Sequence, residues 1–378
     1  MAHVRTVLQA LVASVCGLAG STIAQIPSAF PVQIKLHHVP AVISASDGFS
    51  YIVYELEITN VDPKSRTLTI QEVVVADSPP GAWRSAILGA AGFRHLRQSS
   101  SPSTTESDPA VIGPASHAVF FMWLRVDHSA PLPKSIEHTF TFKISGVLGR
   151  WSIRCCTAEL EGSRMAISAP LGDGNWAAFN SPSNDSDHRR SLLPVDANLF
   201  LGQRFATDWI LLDPSGDAAR EDGSQNTHFF GYGKPVLAVA DGTVADAVDG
   251  IPENTPGLLP TKIDYGNMVG NFISLDIGGG RFAGYAHLQP GSMRVKAGQF
   301  VHRGDVLGLV GNSGNSDIPH LHFQISDGPS LIESEGLPYL IDHFQSVGSV
   351  DSDLHFIPSA AVAHLRELPI QNVVVTFR

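Results

Sequence analysis

Between residues 311 and 324 the chain reads GNSGNSDIPHLHFQ, a glycine- and serine-rich turn closed by proline that feeds a short strand carrying His320 and His322. Side chains on a strand alternate between faces, so the two imidazoles share one face, roughly 6–7 Å apart along the chain. Leu321 and Phe323 then point to the opposite, buried side. Two converging imidazoles suit two metal ligands, or one ligand beside a general base. The plainer alternative is a surface strand with two solvated histidines.

A chain of 378 residues can hold two domains, each with its own core. Its 35 glycines and 25 prolines favour many short strands joined by turns. The formal charge of -11 argues against a nucleic-acid partner. At the N-terminus a short basic start precedes an almost uninterrupted apolar run over residues 7–19, and Thr22-Ile23-Ala24 follows as a small-x-small cleavage pattern. Residues 1–24 are therefore expected to be a signal peptide. The mature protein is expected to be secreted or periplasmic, without a stable membrane span. Only Cys155 and Cys156 remain after cleavage, and adjacent cysteines imply no disulfide framework.

From residue 30 to about 167 the text alternates apolar and polar residues between turn signals, which predicts an immunoglobulin-like β-sandwich over residues 25–180. His37, His38, His117, His128 and His138 are scattered through it without ligand spacing and read as surface or satisfied structural histidines. The polar stretch NSPSNDSDHRR at 180–190 marks a seam, with a linker expected over 181–200. Downstream the pattern is glycine-punctuated β-structure. Short strands are expected around Asp241-Gly242, and a hairpin is expected across Gly278-Gly279-Gly280. The fold class is thus mainly β throughout: the sandwich, a β-rich domain over 201–345, and an extension over 346–378 whose strand at 371–377 has no evident partner.

Four pieces stand in order in that second domain: RFATD at 204–208, VLAVADG at 236–242, YAHL at 285–288, and His320-Leu321-His322. With VKAGQFVHRGDVLGLVG at 295–311, they make residues 203–324 resemble the lysostaphin-type zinc metallopeptidases, which cleave peptide stems and cross-links of bacterial cell walls. The resemblance implies Zn2+ as cofactor, Asp208 and His322 as ligands, and His287 and His320 flanking the activated water. One of those two rings would move the proton while the other steadies the charged intermediate. Zinc brings the pKa of water from about 15.7 towards 7.

One position departs from the family pattern. The family's first histidine ligand, four residues before the aspartate, is Arg204 here, and a guanidinium has no lone pair to offer. Lysostaphin-like sequences of secreted bacterial proteins that share the QRFAxD form carry an upstream His-Arg pair, and that likeness makes His188 the first choice of substitute. His228 is a second candidate. Otherwise Arg204 would pair with Asp208, leaving a catalytically degenerate protein that binds wall peptides or regulates another hydrolase. The favoured expectation is a zinc-dependent peptidoglycan endopeptidase. A biotinyl-type carrier is disfavoured, because no lysine sits at a conspicuous hairpin tip.

Overall fold

The computed structural model describes residues 30–79, 81, 83–88, 92–98, 110–127, 130–162 and 165–377. The expected signal peptide and most of the serine-rich loop at 98–107 lie outside the described residues. Among the described residues, no helix is long and apolar enough to cross a membrane.

The alternating stretches form strands. Phe49–Asn60 pairs antiparallel with His117–Asp127 along its length and with Ala41–Ser44 on its other edge, at the centre of a six-stranded sheet. A five-stranded sheet is built on Leu68–Asp77 and Ser135–Ile144. Ile52, Tyr54, Leu56 and Ile58 from the first sheet meet Val73, Val75, Phe140 and Phe142 from the second in a common core. Each buried side chain of this size contributes about 1.5–3 kcal/mol by leaving water.

An outer sheet face normally meets water. Here it does not. Val53, on the opposite face of Phe49–Asn60, joins Ala41 and Ile43 in the core of the downstream domain. Glu55, between Tyr54 and Leu56, is also fully buried. Alternate residues of one strand therefore serve two interiors, and the downstream domain stands on the sandwich.

Inside the sandwich, His138 is fully buried. Its Nδ1–H donates to the Cys156 carbonyl at 2.9 Å, and its Nε2 accepts from the Tyr54 hydroxyl at 2.7 Å. Burial pushes its pKa down to about 4. An unfolded histidine titrates near 6.5, so between pH 6.5 and 4 the unfolded chain binds more protons than the folded one. Stability is thus expected to fall on acidification through that window, by up to about 3 kcal/mol from this residue. Urea unfolding at pH 7 and pH 4.5 checks it: His138→Asn should lose that part of the pH dependence, and an unchanged slope would refute it.

The downstream sheet has eleven strands. At its centre, Thr207–Leu212, Leu321–Ser326 and Phe282–Leu288 lie side by side. The hairpin across Gly278-Gly279-Gly280 forms as expected, joining Asn271–Asp276 to Phe282–Leu288. The strands around Asp241-Gly242 separate: Pro235–Leu237 pairs with Val306–Leu309, while Gly242–Val248 pairs with Asn271–Asp276. The final strand, Val373–Thr376, lies between Asn175–Phe179 and Leu340–Val350. Ala166–Ile167 and Asn175–Phe179 thus pair with this sheet although they precede the seam at 181–200, and the tail beyond 346 belongs to it as well.

Candidate metal centre and its cleft

Strand register assembles the site. Asp208 stands directly across from His322, and His322 directly across from Ala286, the residue before His287. Three segments far apart in sequence thereby meet at one spot. Trp209, Leu321 and Phe323, fully buried on the reverse face, fix the strands from behind. The Asp208 Oδ1 to His322 Nδ1 distance is 2.9 Å.

Neighbouring carbonyl groups set the tautomers. Gln324 Nε2 donates to the Leu331 carbonyl at 3.2 Å, which turns its Oε1 to His322 Nε2 at 2.9 Å. That oxygen can only accept, so His322 Nε2 carries a proton. In the neutral ring, Nδ1 then presents a lone pair to the Asp208 carboxylate. Two electron-rich atoms at that separation need a cation between them, a proton or a metal. An outer partner that orients a ligating histidine in this way is usual at metal sites.

His188 supplies a third donor. Its Nε2 stands 3.4 Å from Asp208 Oδ2, and its ring centroid lies 4.8 Å from that of His322. One ligand atom each from His188, Asp208 and His322 lies within 4.8 Å of the others. Two imidazole nitrogens and a carboxylate oxygen, with a further side open, are a donor set that fits zinc. Asn180 Nδ2 donates to Asp208 Oδ2 at 2.9 Å and holds the carboxylate in place.

The turn that carries His188 is anchored in the sandwich. Asn184 Nδ2 donates to the Phe121 carbonyl at 3.0 Å, and Arg94 Nη2 reaches Asp185 at 3.2 Å. Arg189 is fully buried, donating through Nη1 to Glu55 Oε1 and through Nη2 to the Tyr54 carbonyl at 3.0 Å. Arg204 occupies the other Glu55 oxygen at 2.9 Å and donates through Nε to the Gly336 carbonyl at 2.6 Å. Burial alone would raise the Glu55 carboxyl; Arg189 and Arg204 bring it below its ordinary value. Arg204 therefore faces the sandwich and pairs with Glu55 rather than Asp208.

His287 and His320 flank the donors. His287, next to last in the strand Phe282–Leu288, has φ +61, a left-handed conformation that costs a non-glycine residue on the order of 1 kcal/mol or more. Its Nδ1–H donates to the Ser313 carbonyl at 2.8 Å, leaving Nε2 to the cleft. His320 Nδ1–H donates to the Ile318 carbonyl at 2.8 Å, and its Nε2 lies 3.5 Å from Asp208 Oδ1. The two ring centroids are 4.9 Å apart. The glycine-rich turn makes this closeness possible: a Cβ on Gly314, at φ +76, would sit 2.3 Å from the Gly270 nitrogen.

Burial, then the adjacent His320 and His322 rings, hold His287 well below its ordinary pKa. Burial would lower His320 as well, but the Asp208 carboxylate raises it. His188 is pushed down to about 4 by burial, against the pull of Asp208. Asp208, which burial would raise, is held well below the usual carboxylate range by His188 and His320. All five residues line one cleft of about 520 Å³, whose wall includes Asn180, Gln203 and Leu331.

Asp208, His188, His287, His320 and His322 are thus brought together. His228 is not; it pairs with Glu221 and Asp222, each at 3.1 Å. Sequence reasoning missed Gln324, although its place two residues after His322 on the same strand face was a readable signal. It also missed Glu55, for which no local signal exists, and the part Arg189 plays beside it, although Arg189 belongs to the His-Arg pair that singled out His188.

Residues 227–333 match the family described as Peptidase family M23. Endolysin 2638A of Staphylococcus phage 2638A is 42% identical over 78 residues, which are 20% of this chain and 16% of that protein. The cell division protein DipM of Caulobacter vibrioides is 33% identical over 99 residues, 26% of this chain and 14% of that protein. The chain thus spans about a sixth or less of the length of these relatives. Among solved structures, the catalytic domain of lysostaphin from Staphylococcus simulans aligns at 20% identity and a TM-score of 0.23, over 46% of this chain and 88% of that one. The downstream β-rich part of the chain thus contains a stretch, residues 227–333, that matches peptidase family M23.

Proposed function

We propose that this protein is a zinc-dependent endopeptidase that hydrolyses peptide bonds in the stems or cross-links of bacterial peptidoglycan. The observation that carries this reading is the approach of Asp208, His322 and His188, with His287 and His320 on the cleft side of the same cluster. His188 takes the ligand position that Arg204 vacates, so the chain is a family variant whose third donor comes from the interdomain turn. The preceding unit is an immunoglobulin-like sandwich, and the protein acts outside the cytoplasm after loss of residues 1–24. The matched family is a peptidase family, and one relative is named an endolysin; both support this choice of reaction and substrate.

Zinc, when bound, supplies Lewis-acid polarisation of a carbonyl and acidifies water. The rest belongs to the chain. Asp208, oriented by Asn180, and His322, oriented by Gln324, present fixed donors. His287 and His320 each have Nδ1–H tied to a carbonyl, so each offers Nε2 to the reacting atoms. A neutral ring accepts a proton from water at Nε2, and a ring protonated there donates to the charge that develops on the scissile carbonyl.

The test is zinc-dependent release of soluble fragments from purified peptidoglycan. His287→Ala and His320→Ala are each expected to lower the rate about 10²–10⁴-fold while bound zinc stays at the wild-type level. Zinc-loaded wild-type protein that releases nothing, or a His320→Ala protein as active as wild type, would reject the reading. The rival reading, a non-hydrolytic wall-binding protein, requires Arg204 to pair with Asp208; the Arg204 pairing with Glu55 removes that support.

A further inference from the structure

His37 and His38 follow the strand Val32–Leu36, past the point where strand alternation keeps neighbours on opposite faces. Their rings meet edge to face, with centroids 4.3 Å apart. Glu335 reaches them from the peptidase domain and divides its carboxylate between them. His38 Nε2 is 3.0 Å from Oε2, and His37 Nε2 is 3.6 Å from Oε1. Both nitrogens are buried, yet neither has a partner in hydrogen-bond geometry. His37 Nδ1 meets Glu57 Oε1 at 2.6 Å. A carboxylate only accepts, so Nδ1 carries a proton; Glu335, against burial, and then Glu57 raise the His37 pKa to about 8, so a cation would have to displace the proton from Nε2. Leu201 N donates to Glu335 Oε2 at 3.2 Å and fixes the carboxylate.

We infer that His37, His38 and Glu335 form a second divalent-cation site, of zinc type, that clasps the sandwich to the peptidase domain. One ligand atom from each lies within 4.8 Å of the others, and two imidazoles with one carboxylate are donors zinc accepts. Glu57 holds His37 by its far nitrogen, the outer-carboxylate arrangement that sets the tautomer of ligating histidines. Once a dication displaces the Nε2 protons, the carboxylates of Glu335 and Glu57 balance its charge. A cleft lined by His38, Arg204, Arg281 and Leu337 adjoins the cluster at His38. The site joins residues of the sandwich to Glu335 of the downstream sheet region, so its role is structural. The sequence reads His37 and His38 as surface or satisfied structural histidines; Glu335, almost three hundred residues away, is beyond the reach of any local pattern.

The inference stands apart from the peptidase reading and is tested without it. The full chain carrying His322→Ala disables the first centre and is dialysed against Zn2+, with bound metal counted per chain. About one ion per chain is expected, falling to none on adding either Glu335→Gln or His38→Gln. Zinc should also raise the melting temperature of the His322→Ala chain and leave both double variants unmoved. A His322→Ala chain that holds no zinc, or an ion that survives both second substitutions, overturns the site and leaves imidazolium–carboxylate pairs in its place. Should one double variant fail to fold, the other decides.

Discussion

Glu55→Ala is expected to destabilise the protein by about 3–5 kcal/mol, the cost of removing one partner from a buried ion pair. Glu55 is completely buried and is shared by two buried guanidiniums, so its loss strands two charges rather than one. For a domain of this size that corresponds to roughly 10 °C or more in Tm. The effect should come from imbalance of charge and not from lost packing. A triple change, Glu55→Leu with Arg189→Met and Arg204→Leu, is therefore expected to regain most of the loss, because apolar replacements of buried ion clusters are often neutral or stabilising. Thermal and urea unfolding of the two variants checks this; equal destabilisation of single and triple variants would refute the charge argument. Glu55→Ala should also weaken zinc binding, since Arg189 is the residue next to His188 and Glu55 holds it.

The second large effect is expected at His188. With His188→Ala, Asp208 and His322 remain facing each other, but the donor set drops to two. Loss of a residue that merely orients a ligand costs 10–100-fold in metal affinity, so removal of a direct ligand should exceed about 100-fold. Peptidoglycan hydrolysis is expected to fall at least as far. His228→Ala, remote from the cluster and paired with Glu221 and Asp222, should leave both unchanged. Zinc titration of the two variants reads the difference directly. Wild-type affinity in His188→Ala would sink the assignment of the third donor.

These two predictions concern residues of different legibility. His320 and His322 share a strand face because strand period is two, and that much follows from adjacent letters. Asp208 and His287 come from the family resemblance, and the strand pairing brings them to the same spot. His188 entered through a family likeness, but its position depends on contacts from Asn184 and Arg189 to the sandwich. Arg204 reads as a defect in the ligand set; beside Glu55 it is a tie between domains.

Local chemistry, meaning strand period, glycine-rich turns and the donor types of histidine, was enough by itself to indicate a β-rich chain and to put His320 and His322 on one strand face, while Asp208, His287 and His188 rested on the family resemblance. Only the tertiary structure decided which face of Phe49–Asn60 would be buried twice, and therefore that Glu55 would serve the site from another domain. It also decided that the tail strand Val373–Thr376 completes the downstream sheet and that His37, His38 and Glu335 meet. The physical reason is range. Alternation and turn propensity act over a few residues, whereas the pairing of buried charges depends on which surfaces exclude water together, and no local pattern encodes that.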